Sequence, residues 1–320
     1  MGKQMKENER GLYYGSDENS FKRRTEIIRN MIIDTPEMVT PLPERKDFLY
    51  WSQRLKERQD QYRETSTHPE HITIKFPETT ILNFIGDTHI GSPDTDYKRL
   101  EREINIIANT PNSYVVLLGD LVDGFFFNPA QFKQVEQPPE QWEYVNALLT
   151  FLASNKKLLV AISGDHDQWP TKMGVDPYAE FADNFQAYYM KGVSYMSIVV
   201  GETEYKITGA HRVPGHSMYN NAHPQMRAER FGGAAGSDII VAGHTHRKGH
   251  SEQAYKTFPG ISQVSHYISL GPYKATDDYA QKLGFSKLSP EEMYGCAVVL
   301  NKDTHNVTYY HDIIQANELH

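Results

Sequence analysis

The chain has 320 residues, of which 39% are hydrophobic and 23% are charged, and this composition is typical of a globular protein with a sizeable core. The formal net charge of −8 argues against nucleic-acid binding through an overall basic surface, because phosphate contacts are largely electrostatic. No apolar run approaches the roughly 18 residues that span a membrane, and the first residues form no hydrophobic leader. Since Cys296 is the one cysteine, no internal disulfide can form, and we expect a cytoplasmic protein with no membrane partner.

Residues 1–70 are more polar and more highly charged than the rest, and we predict that they form an N-terminal helical extension. The spacing of apolar residues predicts one helix over residues 21–33 and a second over residues 44–62, after the helix-start proline Pro43. The apolar stripe of the second helix would either pack on the flank of the main domain or bind a partner. Residues 71–320 are predicted to form that main domain.

From His71 onward, short apolar runs first alternate with helical segments, and later in the chain they follow one another with few helices between them. We predict strands over residues 71–76, 81–87, 114–120, 157–165, 193–200, 203–211, 237–246, 265–271, 296–301 and 306–312. Helices are predicted over residues 97–109 and 139–154. This order favours an α/β fold, a four-layer αββα sandwich of two mixed sheets flanked by helices.

Five of the predicted strands end in side chains that can bind a metal ion. The segments are GDTH (86–89), GDLVD (119–123), GDHD (164–167), GAH (209–211) and GHTH (243–246). Ligands of α/β sheets bind at the carboxyl ends of strands, so these side chains should meet at one place. Asp87 and His89 are two positions apart, as are His244 and His246, and an extended backbone points such pairs to the same side. Carboxylates combined with imidazoles suit Mn²⁺, Fe²⁺, Zn²⁺, Ni²⁺ or Co²⁺.

The order and content of the five segments resemble the calcineurin-like metallophosphoesterase superfamily, over roughly residues 80–250. The resemblance implies a centre of two divalent metal ions, with Mn²⁺ as first choice and Fe, Zn, Ni, Co or Mg as alternatives. It implies seven metal ligands, with Asp120 bridging both ions: Asp87, His89, Asp120, Asp165, His211, His244 and His246. His166 would contact the substrate phosphate, and Asp123 would orient His166 or a ligand.

The third segment departs from the GNH that is usual in this superfamily, because Asp165 replaces a neutral asparagine. An added carboxylate would tighten divalent-metal binding, reduce the Lewis acidity of the second metal and favour a harder ion such as Mn²⁺. The alternative is that Asp165 binds no metal and the second site is weak. Asp167 is expected to cap the loop.

The resemblance implies hydrolysis of a phosphate ester by a hydroxide that bridges the two metals. A protonated His166 would act as general acid for the leaving oxygen. Protein phosphatases of this superfamily carry arginine after GDxVD, whereas this chain has Gly124 followed by three phenylalanines. The segments resemble more closely those of the nuclease-type (Mre11/SbcD-like) branch. The overall resemblance favours a phage-encoded member. The leading hypothesis is therefore a phosphodiesterase or nuclease.

The substrate would be a phosphate ester such as DNA or a nucleotide, and several residues could contact it. Basic residues cluster between positions 209 and 250, namely Arg212, Arg227, Arg230, Arg247 and Lys248. Arg212, His216 and Arg247 are the candidate substrate contacts. Residues 125–127 are phenylalanines, and they and Trp169 would either stack on bases or pack between the ligand segments.

Two other functions stay open at this stage. One is a phosphomonoesterase that acts on a nucleotide or a small phosphorylated metabolite. The other is a non-catalytic accessory module, which is disfavoured because each ligand position of the family is filled by a metal-binding residue.

Overall fold

The computed structural model describes residues 48–65, 71–126, 132–173, 176–178, 188–256, 262–275, 284 and 286–320. The helix predicted over residues 21–33 lies outside these ranges. The chain divides into two compact units, Met1–Thr67 and His68–His320. The predicted domain boundary after residue 70 stays a prediction. In the first unit, the structure describes the helix α1 (Phe48–Thr65), which overlaps the helix predicted over residues 44–62.

The strands that the structure describes in the second unit form two mixed sheets of six strands each. In chain order they are β1 (His71–Phe76), β2 (Thr80–Ile85), β3 (Ser113–Leu117), β4 (Leu158–Ser163), β5 (Tyr188–Lys191), β6 (Val193–Val200), β7 (Thr203–Ala210), β8 (Ile239–Ala242), β9 (Gly249–Lys256), β10 (Ser262–Ser269), β11 (Cys296–Leu300) and β12 (Val307–Tyr310). One sheet has the order β1-β6-β7-β8-β10-β9, and the other has the order β12-β11-β2-β3-β4-β5. Strands β2 to β5 run parallel to one another, as do β7, β8 and β10.

The two sheets pack face to face, with helices on the outer faces. Alternate residues of β2 show the layers: Leu82 and Phe84 lie in the core between the sheets, whereas Ile81 and Ile85 lie in the outer core. The outer core is covered by α2 (Tyr97–Asn109), α3 (Pro138–Ser154) and α5 (Ile313–Leu319). Helix α4 (His223–Phe231) lies over Ile240 and Tyr267 on the outer face of the other sheet. The predicted four-layer α/β sandwich is confirmed.

All ten predicted strands are present, and eight of them end earlier than predicted, because the residues after them belong to loops. Strands β5 and β9 were not predicted, nor were α4 and α5. Strand β9 reads GHSEQAYK and shows no apolar alternation; it is held by antiparallel pairing with β10. Among the helices that the structure describes, none combines the length and apolar character that crossing a membrane requires.

Candidate metal centre

Each predicted metal ligand lies just after the carboxyl end of a strand. Strands β2, β3 and β4 are parallel neighbours in one sheet, and β7 and β8 are parallel neighbours in the other. Six of the seven predicted ligands form two groups, in each of which the ligand atoms lie within 4.8 Å of one another. The groups are Asp87, His89 and His246, and Asp120, His211 and His244.

The first group lies around a buried carboxylate. Asp87 Oδ1 is 3.4 Å from His246 Nε2, and this nitrogen is 3.1 Å from His89 Nε2. The Asp87 carboxylate accepts the backbone N–H of His244 at 2.9 Å, which ties the loop after β2 to the loop after β8. Burial lowers the pKa of His89 to about 4, so this imidazole is neutral at pH 7 and has a lone pair for a cation.

The second group pairs a buried imidazole with a buried carboxylate. His211 Nδ1 donates to the Leu118 carbonyl at 2.8 Å, which leaves Nε2 facing Asp120 Oδ2 at 3.2 Å without the geometry of a hydrogen bond. Burial alone would lower the pKa of His211, but the Asp120 carboxylate outweighs it and raises the pKa to about 10. The carboxylate therefore stabilises positive charge at Nε2, and a divalent cation bound by both atoms would supply that charge in place of the proton.

The backbone is strained at these ligands. Among the residues that the structure describes, eight non-glycine residues have φ in the left-handed region, and five of them are predicted ligands. These are Asp87, His89, Asp120, His244 and His246, with φ between 46° and 69°. Such conformations cost about 1–3 kcal/mol each and cluster at functional sites, where the surrounding structure holds them in place.

Two glycines let the loops approach the carboxylates closely. A Cβ added at Gly164 would lie 2.1 Å from the backbone nitrogen of Asp120 and 2.2 Å from its Oδ1. A Cβ added at Gly243 would lie 2.4 Å from Asp87 Oδ2. Both distances are shorter than any van der Waals contact, so the loops after β4 and β8 can occupy these positions only with glycine there.

His166 lies next to the first group, and its ring is held on several sides. Nδ1 donates to the backbone carbonyl of Asp123 at 2.6 Å, and since a carbonyl only accepts, Nδ1 carries a proton. The ring stacks on Trp169 with 4.2 Å between ring centroids and contacts His89 and Phe125 edge-on. The backbone carbonyl of Asp123 thus fixes the orientation of the His166 ring through Nδ1.

The carboxylate of Asp123 contacts residues other than His166. Its Oδ1 lies 3.3 Å from His89 Nδ1 and 2.9 Å from Lys274 Nζ. Burial would raise the pKa of Asp123, but His89 and Lys274 outweigh it and lower the pKa. Sequence reasoning missed Lys274. The available signal was its position after β10, which runs parallel to β8 and so ends at the same edge of the sheet.

Asp167 caps a loop, as the sequence predicts. Its carboxylate accepts the backbone N–H groups of Leu121 and Gly164, both at 2.9 Å, and the hydroxyl of Tyr178 at 3.0 Å. Burial, together with the nearby Asp120, raises the pKa of Asp167 to about 6. The side chain therefore joins the loops after β3 and β4.

Asp165 lies at the rim of the centre and belongs to neither group of three. Its side chain is 48% exposed, and Oδ2 is 3.4 Å from His244 Nδ1 and 3.6 Å from a guanidinium nitrogen of Arg212. An open depression of about 690 Å³ lies over the centre. Its lining residues are His89, Asp120, Asp165, His166, Gln168, Trp169, Thr171, His244 and His246.

The predicted substrate contacts lie outside that lining. Arg212, His216 and Arg247 are exposed, and of these Arg212 reaches the rim through Asp165. Their roles stay predictions. Lys248, one of the basic residues clustered between positions 209 and 250, cannot contact a substrate at the surface. It is buried and donates to the carbonyls of Met293, Gly295 and His311.

The sequence profile of the calcineurin-like phosphoesterases matches residues 82–248, just over half of the chain. The chain belongs to this family. It is therefore a metal-dependent phosphoesterase of a family that uses a dinuclear centre of divalent metals. No curated protein sequence matches the chain. Among solved structures, the crystal structure of Vps29 from Chaetomium thermophilum is similar at 13% identity and a TM-score of 0.33, over 72% of this chain and 92% of that chain.

The ion pair of Lys274 with Asp123 gives a prediction about this phosphoesterase. Lys274→Gln removes the charge that fixes the Asp123 carboxylate beside His89, and we expect metal affinity or kcat to fall about tenfold to a hundredfold. The measurement is a Mn²⁺ titration that follows both bound metal and phosphoesterase activity. Lys302→Gln breaks a surface ion pair with Glu78 and should change neither quantity. Native metal affinity and kcat in Lys274→Gln would contradict the prediction.

Proposed function

We propose that this phosphoesterase is a phosphodiesterase or nuclease, and that a polynucleotide such as DNA is its substrate. The observation that carries the proposal is the His166–Trp169 stack beside the metal ligands. The imidazole can act on a phosphate group and the indole can stack on a neighbouring base, and both rings line the depression of about 690 Å³.

The same proposal assigns the seven ligands. Asp87, His89 and His246 would hold one ion, and Asp165, His211 and His244 the other, with Asp120 bridging. This assignment is supported by the two groups of converging ligand atoms and by the hydrogen-bond-free contact of His211 Nε2 with Asp120. Mn²⁺ is the proposed metal, since three carboxylates accompany four imidazoles. Two divalent cations bound by these residues would supply Lewis acidity and would lower the pKa of a bound water.

His166 is the proposed general acid, with Asp123 as the group that positions it. Since Nδ1 donates its proton to the Asp123 carbonyl, Nε2 is the nitrogen that would donate a proton to the leaving oxygen from the imidazolium form of the ring. The same N–H can stabilise negative charge on a phosphoryl oxygen. Stacking on Trp169 keeps the ring from rotating away from this position.

The charge of the depression favours a diester over a monoester. Among the described residues that line it there is no lysine or arginine, and Gly124 stands where the protein phosphatases carry an arginine. A phosphomonoester carries up to two negative charges, whereas a diester carries one and needs fewer cationic partners. We therefore prefer the diester, and the phosphomonoesterase remains the alternative that an assay must exclude.

Two chromogenic substrates test this preference. With Mn²⁺, the purified chain should hydrolyse bis-p-nitrophenyl phosphate faster than p-nitrophenyl phosphate, and it should cleave labelled single- or double-stranded DNA. Dominant turnover of the monoester, with no cleavage of diester or DNA, would show the phosphomonoesterase alternative to be right. No turnover of any phosphate ester would favour the accessory module.

The proposed stacking surface can be tested with Trp169→Ala. Loss of one base–indole stack, at about 1–3 kcal/mol, should raise KM for an oligonucleotide about 5- to 150-fold. KM for bis-p-nitrophenyl phosphate should change much less, because that substrate has no base. Phe151→Ala, at an exposed position of α3, serves as the aromatic control. Equal losses on both substrates would mean that Trp169 acts only by supporting His166.

A further inference from the structure

A further cluster of metal-binding side chains lies on β9 and β10, and it shares no residue with the proposed catalytic centre. It consists of His250, Glu252 and His266. His250 and Glu252 are two positions apart on β9, so both side chains leave the strand on the same face. His266 of β10 is paired directly with Glu252 across the antiparallel ladder. Regular strand pairing alone therefore brings the three side chains together.

The distances within this group suit a metal ion. His250 Nε2 is 3.2 Å from His266 Nδ1, and Glu252 Oε1 is 3.8 Å and 3.7 Å from these two nitrogens. A point equidistant from three atoms with such separations lies about 2.1 Å from each of them, which is close to the Zn–N and Zn–O bond lengths. A hydrogen bond between the two rings would explain the distance between their nitrogens, but it would not explain why the Glu252 carboxylate lies close to both. A cation accounts for all three groups.

The surroundings keep the two imidazoles in place. His266 is buried, and the His250 ring stacks on Tyr309 of β12 with 3.9 Å between centroids. Glu252 supplies the negative charge that a divalent cation needs.

We propose that His250, Glu252 and His266 bind a further divalent cation of the zinc class, separate from the dinuclear centre. Three protein ligands leave the fourth position of a tetrahedron for water. The ion joins β9 to β10, and β9 lies at the edge of its sheet, where a polar strand gains least from packing. Metal binding of this kind adds to the stability of the folded chain, since the unfolded chain lacks the assembled site.

The test compares metal stoichiometry in the native chain and in Glu252→Gln. The Glu252 side chain is 55% exposed, so the substitution should leave the fold intact. The metal-free full-length chain is titrated with Zn²⁺ in competition with a chromophoric chelator. We expect about three equivalents in the native chain and about two in the variant, given two ions in the dinuclear centre. Glu204→Gln, at an exposed position of β7, should retain all of them.

The difference of one equivalent between native chain and variant decides the outcome, whatever number of ions the dinuclear centre holds. Equal stoichiometry and affinity in the two proteins would overturn the proposal. A second measurement uses thermal unfolding: Zn²⁺ should raise the unfolding midpoint of the native chain more than that of Glu252→Gln. An equal rise in both would also count against the site. Neither readout depends on turnover, so failure here is distinct from failure of the proposed phosphodiesterase activity.

Discussion

Replacing Asp120 with asparagine should lower kcat about a thousandfold or more and reduce bound metal below two ions per chain. Asp120 Oδ2 faces His211 Nε2, and Asp120 Oδ1 accepts the backbone N–H of His166. One buried carboxylate therefore connects the second ligand group to the loop after β4 that carries His166. The amide keeps the shape of the side chain but removes its charge. Each 1.36 kcal/mol of lost transition-state stabilisation costs tenfold in rate, and the Lewis acidity at stake amounts to several kcal/mol.

Two measurements on one preparation check this result. Turnover of bis-p-nitrophenyl phosphate gives kcat, and elemental analysis of the dialysed protein gives bound metal. Asp303→Asn makes the same chemical change at an exposed loop position and should behave as the native chain does. If Asp120→Asn kept two tightly bound ions and native kcat, Asp120 would not be the bridging ligand.

His166→Ala should lower kcat about 10²- to 10⁴-fold, while bound metal stays near two ions per chain. The side chain belongs to neither group that we assign to the metals, so removing it should leave both groups in place. It does remove the Nε2 proton that we propose is donated to the leaving oxygen. The loss should therefore fall on kcat rather than on metal affinity.

The choice of leaving group separates acid catalysis by His166 from a structural role. The effect of His166→Ala should be larger for a diester with a basic alcohol as leaving group than for one that releases p-nitrophenolate, which needs little protonation. Gln168→Ala is the matched control, since Gln168 lines the same depression and cannot exchange a proton at neutral pH. A loss that is the same for both leaving groups would rule out the proposed acid role, and native activity would rule out any role in turnover.

Local sequence was enough to predict the α/β sandwich and the positions of the ligand segments. The apolar runs of β2, β3, β4 and β8 predict buried strands, because each must place side chains in a core on both faces. The polar β9 and the short β5 carry no such pattern and are set by pairing with β10 and β4. Strand β9 depends on pairing with the next strand along the chain, and β5 on pairing with a strand that lies further back, so neither strand is visible in its own apolar pattern.

Contacts between distant residues decided the parts of the site that the sequence did not predict. Lys274 is 151 positions from Asp123, and no spacing rule links a lysine after one strand to a carboxylate after another. Lys248 lies among basic residues in the sequence, yet the fold buries it against three carbonyls. Asp123 orients His166 with a backbone carbonyl, a contact that side-chain chemistry cannot anticipate.

The sequence by itself determined which residues can hold metal and that they follow strands, because strand patterning and side-chain chemistry are local properties. Only the tertiary structure decided which of these residues share an ion, which nitrogen of each histidine is available and which cations neutralise the carboxylates. Those properties depend on distances of a few ångströms between loops of two different sheets. Strand order and the packing of the sheets fix these distances, and neither is encoded in any single segment.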